Sequence, residues 1–271
     1  MNLPRANRAC GCWGFICLFL IPLACAAEPE PAKTELVVFA ASSLKEVFGQ
    51  QAAQFEADHA GTHVVLQLAG SQELRTQIEN GAKADVFASA DLRHMTALHD
   101  QRLVGDATIF ARNEPVVIVP AVNPPVLSRF EDLPKAKRII VGTQEVPIGS
   151  YTMQILTNAS KQLGEQFAKQ VDTNIASKEL NVRQILAKVS LGEGDAGFVY
   201  RTDAIAGGNR VRVIEIPAKL NVVAEYPIAV VEHSVHPDLA RAWIDLLLSD
   251  RGQSILSQAG FRVVRVGTLL R

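Results

Sequence analysis

Small hydroxyl side chains recur where an apolar run gives way to a helical pattern. Phe39-Ala-Ala-Ser-Ser-Leu44 sets Ser42 and Ser43 between the apolar run Leu36–Ala40 and a helix pattern that begins at Leu44. Leu68-Ala-Gly-Ser71 repeats the order of run, small residues, serine and helix. Val146-Pro-Ile-Gly-Ser-Tyr151 opens a third helix and Asn181-Val182 a fourth. A hydroxyl at such a seam can cap the helix, attack as a nucleophile, or donate to an anion. Capping is the ordinary role of a serine there, contributing about 1 kcal/mol. A nucleophile needs more. Ser43 lacks the glycines of a G-x-S-x-G elbow and needs a histidine base oriented by an acid. His59, His63, His94, His99, His233 and His236 occupy no strand-end motif, and surface or capping roles suit them. The anion reading uses the seams together. Helix N-termini expose unpaired N–H groups and partial positive charge, and hydroxyls add donors. Gly70 and Gly149 allow close approach to the backbone. No lysine or arginine lies inside the seams, although Lys45 and Arg75 are near. Neutral donors without acceptors suit a fully deprotonated oxyanion and disfavour hydrogen phosphate, whose O–H needs a partner.

The elements that must hold these seams alternate. Strands are expected at Leu36–Ala40, His63–Leu68, Val86–Ser89, Val116–Val119, Arg138–Val141, Gly197–Tyr200, Val211–Ile216 and Tyr226–Val231. Helical spacing joins Leu44, Val47, Phe48, Ala52 and Phe55, then Leu74 to Ile78, Tyr151–Leu163, Val182–Leu191, Leu239 to Leu247 and Arg251–Ala259. This alternation predicts an α/β protein with mostly parallel sheets flanked by helices, and ligands of such sheets lie at the carboxyl ends of strands. The length suits two lobes rather than one core. The expected division is a first lobe of 34–111 and 228–271, with a second lobe, 112–227, inserted between its pieces and a ligand cleft between the two. Crossings are expected near Ala111–Pro115 and Ala224–Pro227.

Residues 1–26 read as a secretory signal peptide. Arg5 and Arg8 precede the apolar run Gly14–Leu23, and Ala24-Cys25-Ala26 supplies small residues at a cleavage site. A lipid anchor on Cys25 is the weaker alternative, because Leu23 sits two residues before it rather than three. Export fits cysteine use: Cys10, Cys12, Cys17 and Cys25 all lie in the leader. The mature chain then has no disulfide, thiolate metal site or cysteine nucleophile, and no cation ligand set is expected. Cleavage leaves 25 basic residues against the chain's 28 acidic ones, moving the formal charge from -1 to -3. A nucleic-acid partner, which calls for a basic stripe, is excluded.

Seven blocks together resemble one family. FAASSL (39–44), AGSQELRTQI (69–78), ADVFASAD (84–91), VPIGSY (146–151), NVRQIL (181–186), GFVYRTDA (197–204) and EYPIAVVE (225–232) stand in the order and spacing of the periplasmic molybdate-binding protein of molybdate ABC importers. The resemblance covers nearly all of 35–262. It implies a two-lobed periplasmic binding protein, not an enzyme, that captures molybdate or tungstate without a cofactor. The implied partners are a membrane permease with its cytoplasmic ATPase, met by a periplasmic monomer. Carried over block by block, the oxyanion would be held by the hydroxyls of Ser43, Ser71 and Tyr200 and the backbone N–H groups of Ile148 and Val182. Ile148 stands where alanine is common in relatives, and Gly70 where a serine is often seen, which bears on fine ligand preference. Three rivals stay open. One is another tetrahedral oxyanion such as sulfate, decided by cavity size. A second is a secreted serine hydrolase using Ser43 or Ser71. The third is the effector-sensing half of a transcription regulator, against which the leader and the lack of a helix-turn-helix segment argue.

Overall fold

A computed structural model describes residues 33–264; the expected leader, with Cys25, lies outside them. The described elements are β1 (Thr34–Ala41), α1 (Lys45–Asp58), β2 (Thr62–Ala69), α2 (Ser71–Glu79), β3 (Val86–Ala88), α3 (Leu92–Asp100), β4 (Thr108–Asn113) and β5 (Pro115–Pro120). Next come β6 (Ile139–Gly142), α4 (Pro147–Leu163), α5 (Glu165–Thr173), β7 (Ile175–Glu179), α6 (Val182–Ser190), β8 (Ala196–Tyr200), α7 (Arg201–Gly207) and β9 (Val211–Ile214). The last are β10 (Ala224–Val230), α8 (Pro237–Leu248), α9 (Asp250–Gln258) and β11 (Arg262–Val263).

Two sheets form, each the floor of a lobe. The first has the order β11-β4-β10-β3-β1-β2 and the second β7-β6-β8-β5-β9. β1 runs parallel to β2 and β3, whereas β10 is antiparallel to β3 and β4. In the second sheet β6 is parallel to β7 and β8, and β5 is antiparallel to β8 and β9. The chain passes from the first sheet to the second at Glu114, between β4 and β5, and returns between β9 and β10. β4 runs to Asn113 and pairs with β10 from Ala224. Residues 112–113 and 224–227 therefore sit on the first sheet rather than in the inserted segment, because the ladder between these strands continues past the expected edges.

Period-two alternation sorts the first sheet's side chains to two faces. Leu36, Val38, Ala40, Val86 and Ala88 join Phe48, Phe55, Trp243 and Leu256 of α1, α8 and α9. Phe39, Phe87 and Ala229 point the other way, onto Leu74, Ile78, Met95 and Leu98 of α2 and α3. A sheet covered on both faces needs near-continuous apolar strands, which FAAS- and VFA-type runs supply. The larger cluster continues into the second lobe through Tyr200 and Tyr226, reaching Ile140, Ile155, Ile185 and Phe198.

Candidate functional site

The parallel strands of both lobes end toward one another. β1 ends at Ala41, β2 at Ala69 and β8 at Tyr200, and α2, α4 and α6 start just beyond strand ends. Between them lies a small cleft, far tighter than a pocket for a drug-sized ligand. Its first-lobe wall includes Ser42, Ser43, Gly70, Ser71 and Ala90, and its second-lobe wall Val146, Pro147, Ile148, Asn181, Val182 and Tyr200. All five expected binding residues, Ser43, Ser71, Ile148, Val182 and Tyr200, thus meet at one cavity, and no residue lining it is charged.

Each donor is left free for a local reason. Ser71 is the first residue of α2, and its Oγ accepts the N–H of Ala90 at 3.1 Å, so its own proton faces elsewhere. As the first residue of α2, Ser71 has an N–H with no intrahelical partner; the Glu73 carboxylate takes the preceding Gly70 N–H at 3.0 Å. Pro147 opens α4 at a position where its missing N–H costs nothing, and Ile148 follows with a free amide. This proline start places the helix one turn ahead of the expected Tyr151. Asn181 caps α6 by accepting from the N–H groups of Arg183 and Gln184 at 3.1 and 3.2 Å; the Val182 amide stays outside the cap. Tyr200 ends β8 only 1% exposed, and its hydroxyl has no hydrogen-bond partner. Burial pushes that phenol well above its ordinary pKa, so it keeps its proton.

Three local expectations change. Ser43 is not a cap: α1 begins at Lys45 without a side-chain cap, and Ser43 Oγ lies 3.0 Å from the hydroxyl of Tyr226. The glycines also serve protein packing. A Cβ at Gly70 would meet the Gln72 side chain and the Leu180 carbonyl, and one at Gly149 the carbonyls of Gly142 and Thr143. His94 is buried rather than superficial and donates Nε2–H to the Glu145 carbonyl at 2.8 Å, across the cleft. Desolvation holds its imidazole below the usual range, although Asp91 works against this. Among the described residues, neither Ser43 nor Ser71 hydrogen-bonds a histidine.

Sequence reasoning also passed over a cross-cleft arginine. Arg183, directly after Val182, donates Nε–H to the Ser42 carbonyl at 3.2 Å and Nη1–H to Glu46 at 2.9 Å, and its Nη2 also meets Glu46. Behind it, Asp203 stands 2.9 Å from Nε and is fully buried. Burial raises the Asp203 carboxyl to about 7, with Arg183 opposing. The guanidinium is therefore spent on carbonyls and carboxylates, and the cavity keeps its neutral lining. A basic residue inside a polar NVRQIL helix start carries no local sign of this, since its partners are about 140 residues away in the first lobe.

The profile of the bacterial extracellular solute-binding proteins matches residues 36–262. The chain belongs to this family. The solute-binding protein is 37% identical over 242 residues to the molybdate-binding protein ModA of Mycobacterium tuberculosis, covering 89% of each chain. Its fold matches that of the Azotobacter vinelandii periplasmic molybdate-binding protein with a TM-score of 0.74 and 22% identity, covering 85% of this chain and all of that one. The sulfate-binding protein SubI of Mycobacterium tuberculosis gives 0.76 and 21%, covering 85% and 87%. The fold is thus that of two-lobed periplasmic binding proteins, and fold similarity by itself does not choose between the two anions. No helix among the described residues is long and apolar enough to cross a membrane.

Proposed function

We propose that this protein captures molybdate, and tungstate through the same groups, and hands it to an ABC importer. The observation that carries the reading is the donor set at the cavity: the hydroxyls of Ser43, Ser71 and Tyr200 with the amides of Ile148 and Val182, and no charged group lining it. Each hydrogen bond to a charged ligand contributes about 1.5–3 kcal/mol, so five offset the entropy of association. The names of the relatives support molybdate over other anions. Ser43 and Ser71 dock the anion on the first lobe, and Ile148, Val182 and Tyr200 close on it by motion about the two crossings, at Glu114 and between β9 and β10. The closed form then meets a membrane permease driven by a cytoplasmic ATPase. The protein works as a periplasmic monomer after loss of its leader, without a cofactor and without turnover.

Sulfate is the second reading, favoured by the equal fold match to a sulfate-binding protein. Calorimetric titration of the ligand-stripped mature chain with molybdate, tungstate, sulfate and phosphate tests both. One-to-one binding of molybdate and tungstate with weak sulfate is expected; equal sulfate binding would transfer the assignment. Ser43→Ala and Ser71→Ala should each weaken molybdate about tenfold with the fold intact, and unchanged affinity in both would sink the site. Labelling of either serine by a serine-reactive probe would instead support the hydrolase.

A further inference from the structure

We infer that Tyr226 is a specificity-determining positioning residue that makes the Ser43 hydroxyl a donor toward the cavity. The inference rests on the oxyanion reading above and adds the group that sets the polarity of its site. Tyr226 lies on β10, 183 residues from Ser43, and is fully buried. Its ring is held edge-on by Phe110, Tyr200 and Phe261, with centroids 6.3, 5.7 and 5.4 Å away. A ring packed on three sides cannot swing its hydroxyl to another partner.

The direction of the hydrogen bond follows from what each hydroxyl can reach. Among the described residues, Ser43 Oγ at 3.0 Å is the one hydrogen-bond partner of the Tyr226 hydroxyl. A buried O–H needs an acceptor, so the Tyr226 proton goes to Ser43 Oγ, which itself borders the cavity. A serine oxygen that accepts there has its own proton left for the cavity. Ser71 reaches the same state by another route, accepting from the Ala90 N–H. With Tyr200 protonated and otherwise unpaired, all three hydroxyls point donors at the ligand. An oxyanion that keeps a proton then leaves its O–H unsatisfied, a form of discrimination stronger than size alone.

The test is a double-mutant cycle with Tyr226→Phe and Ser43→Ala in the full chain, titrated with molybdate and with phosphate at neutral pH. Tyr226→Phe should weaken molybdate roughly 5- to 20-fold and narrow the molybdate-to-phosphate ratio. In the Ser43→Ala background the same change should cost less than about twofold, because its effect runs through Ser43. An equal loss from Tyr226→Phe in both backgrounds, or an unchanged ratio in Tyr226→Phe, would overturn the inference. Absence of binding to any tetrahedral oxyanion by the unaltered protein would overturn the binding reading and this one with it, a result distinct from binding that ignores Tyr226.

Discussion

The Tyr200 ring packs in the core, but its hydroxyl has no structural reward in the free protein. Its hydroxyl is buried with no partner, and an unsatisfied buried polar group costs about 1–3 kcal/mol. Tyr200→Phe removes that cost. The ligand-free protein should then melt about 2–4 °C higher, the shift corresponding to about 1 kcal/mol in a chain of this size. Molybdate affinity should fall about tenfold in the same variant. Thermal unfolding and calorimetry on one preparation check both, and a lower melting temperature would mean that the hydroxyl serves the fold. Ser43 shows how far sequence reading goes at this scale. Serine before a helix reads as a cap, since capping is encoded within four residues. Its actual partner, Tyr226, comes from the opposite end of the chain, and no local pattern specifies it.

At the scale of elements, the seams were legible because strand ends and helix starts carry their own chemistry. Pro147 presets the first turn of α4, and Asn181 caps α6. What escaped notice was polar or thinly buried. β7, IASKE, is an edge strand with one buried residue, and its lysine and glutamate hide the alternation. α5 buries only Val171, too little for an apolar stripe. β4 carries Arg112 and Asn113 in the TIFARN run and reads as a loop, although its apolar residues are buried. The start of α6 also places Arg183 across the cleft on Ser42 and Glu46. Both partners are partly exposed, with side-chain exposures of 21% and 49%, so solvent screening limits the pair's worth. Arg183→Ala should accordingly accelerate molybdate release about 3- to 10-fold while leaving the association rate within twofold. Stopped-flow measurement separates the two rates, and a slower association with unchanged release would place Arg183 in capture rather than closure.

Over the whole molecule, one apolar cluster runs through both lobes by way of Tyr200 and Tyr226. Lobes that share a core should unfold together. A single calorimetric transition is expected for the ligand-free chain, shifted upward by molybdate in proportion to the logarithm of its concentration. Two transitions, only one of which moves with ligand, would show that the lobes are energetically separate.

The sequence alone determined the alternation of strands and helices, the seams at their junctions and the absence of cysteine beyond residue 25. These are written in short-range periodicity and in residue types, which a reader of the chain meets in order. Its seven blocks also resembled a family whose five implied binding residues prove to share one cavity. Only the tertiary structure decided which serine is held by which partner, that Gly70 is needed by a carbonyl of the other lobe, and that His94 and Arg183 bridge the cleft. Those choices join residues 51 to 183 positions apart, and their energies depend on burial and on the direction of each donor, which exist only once the sheets are packed.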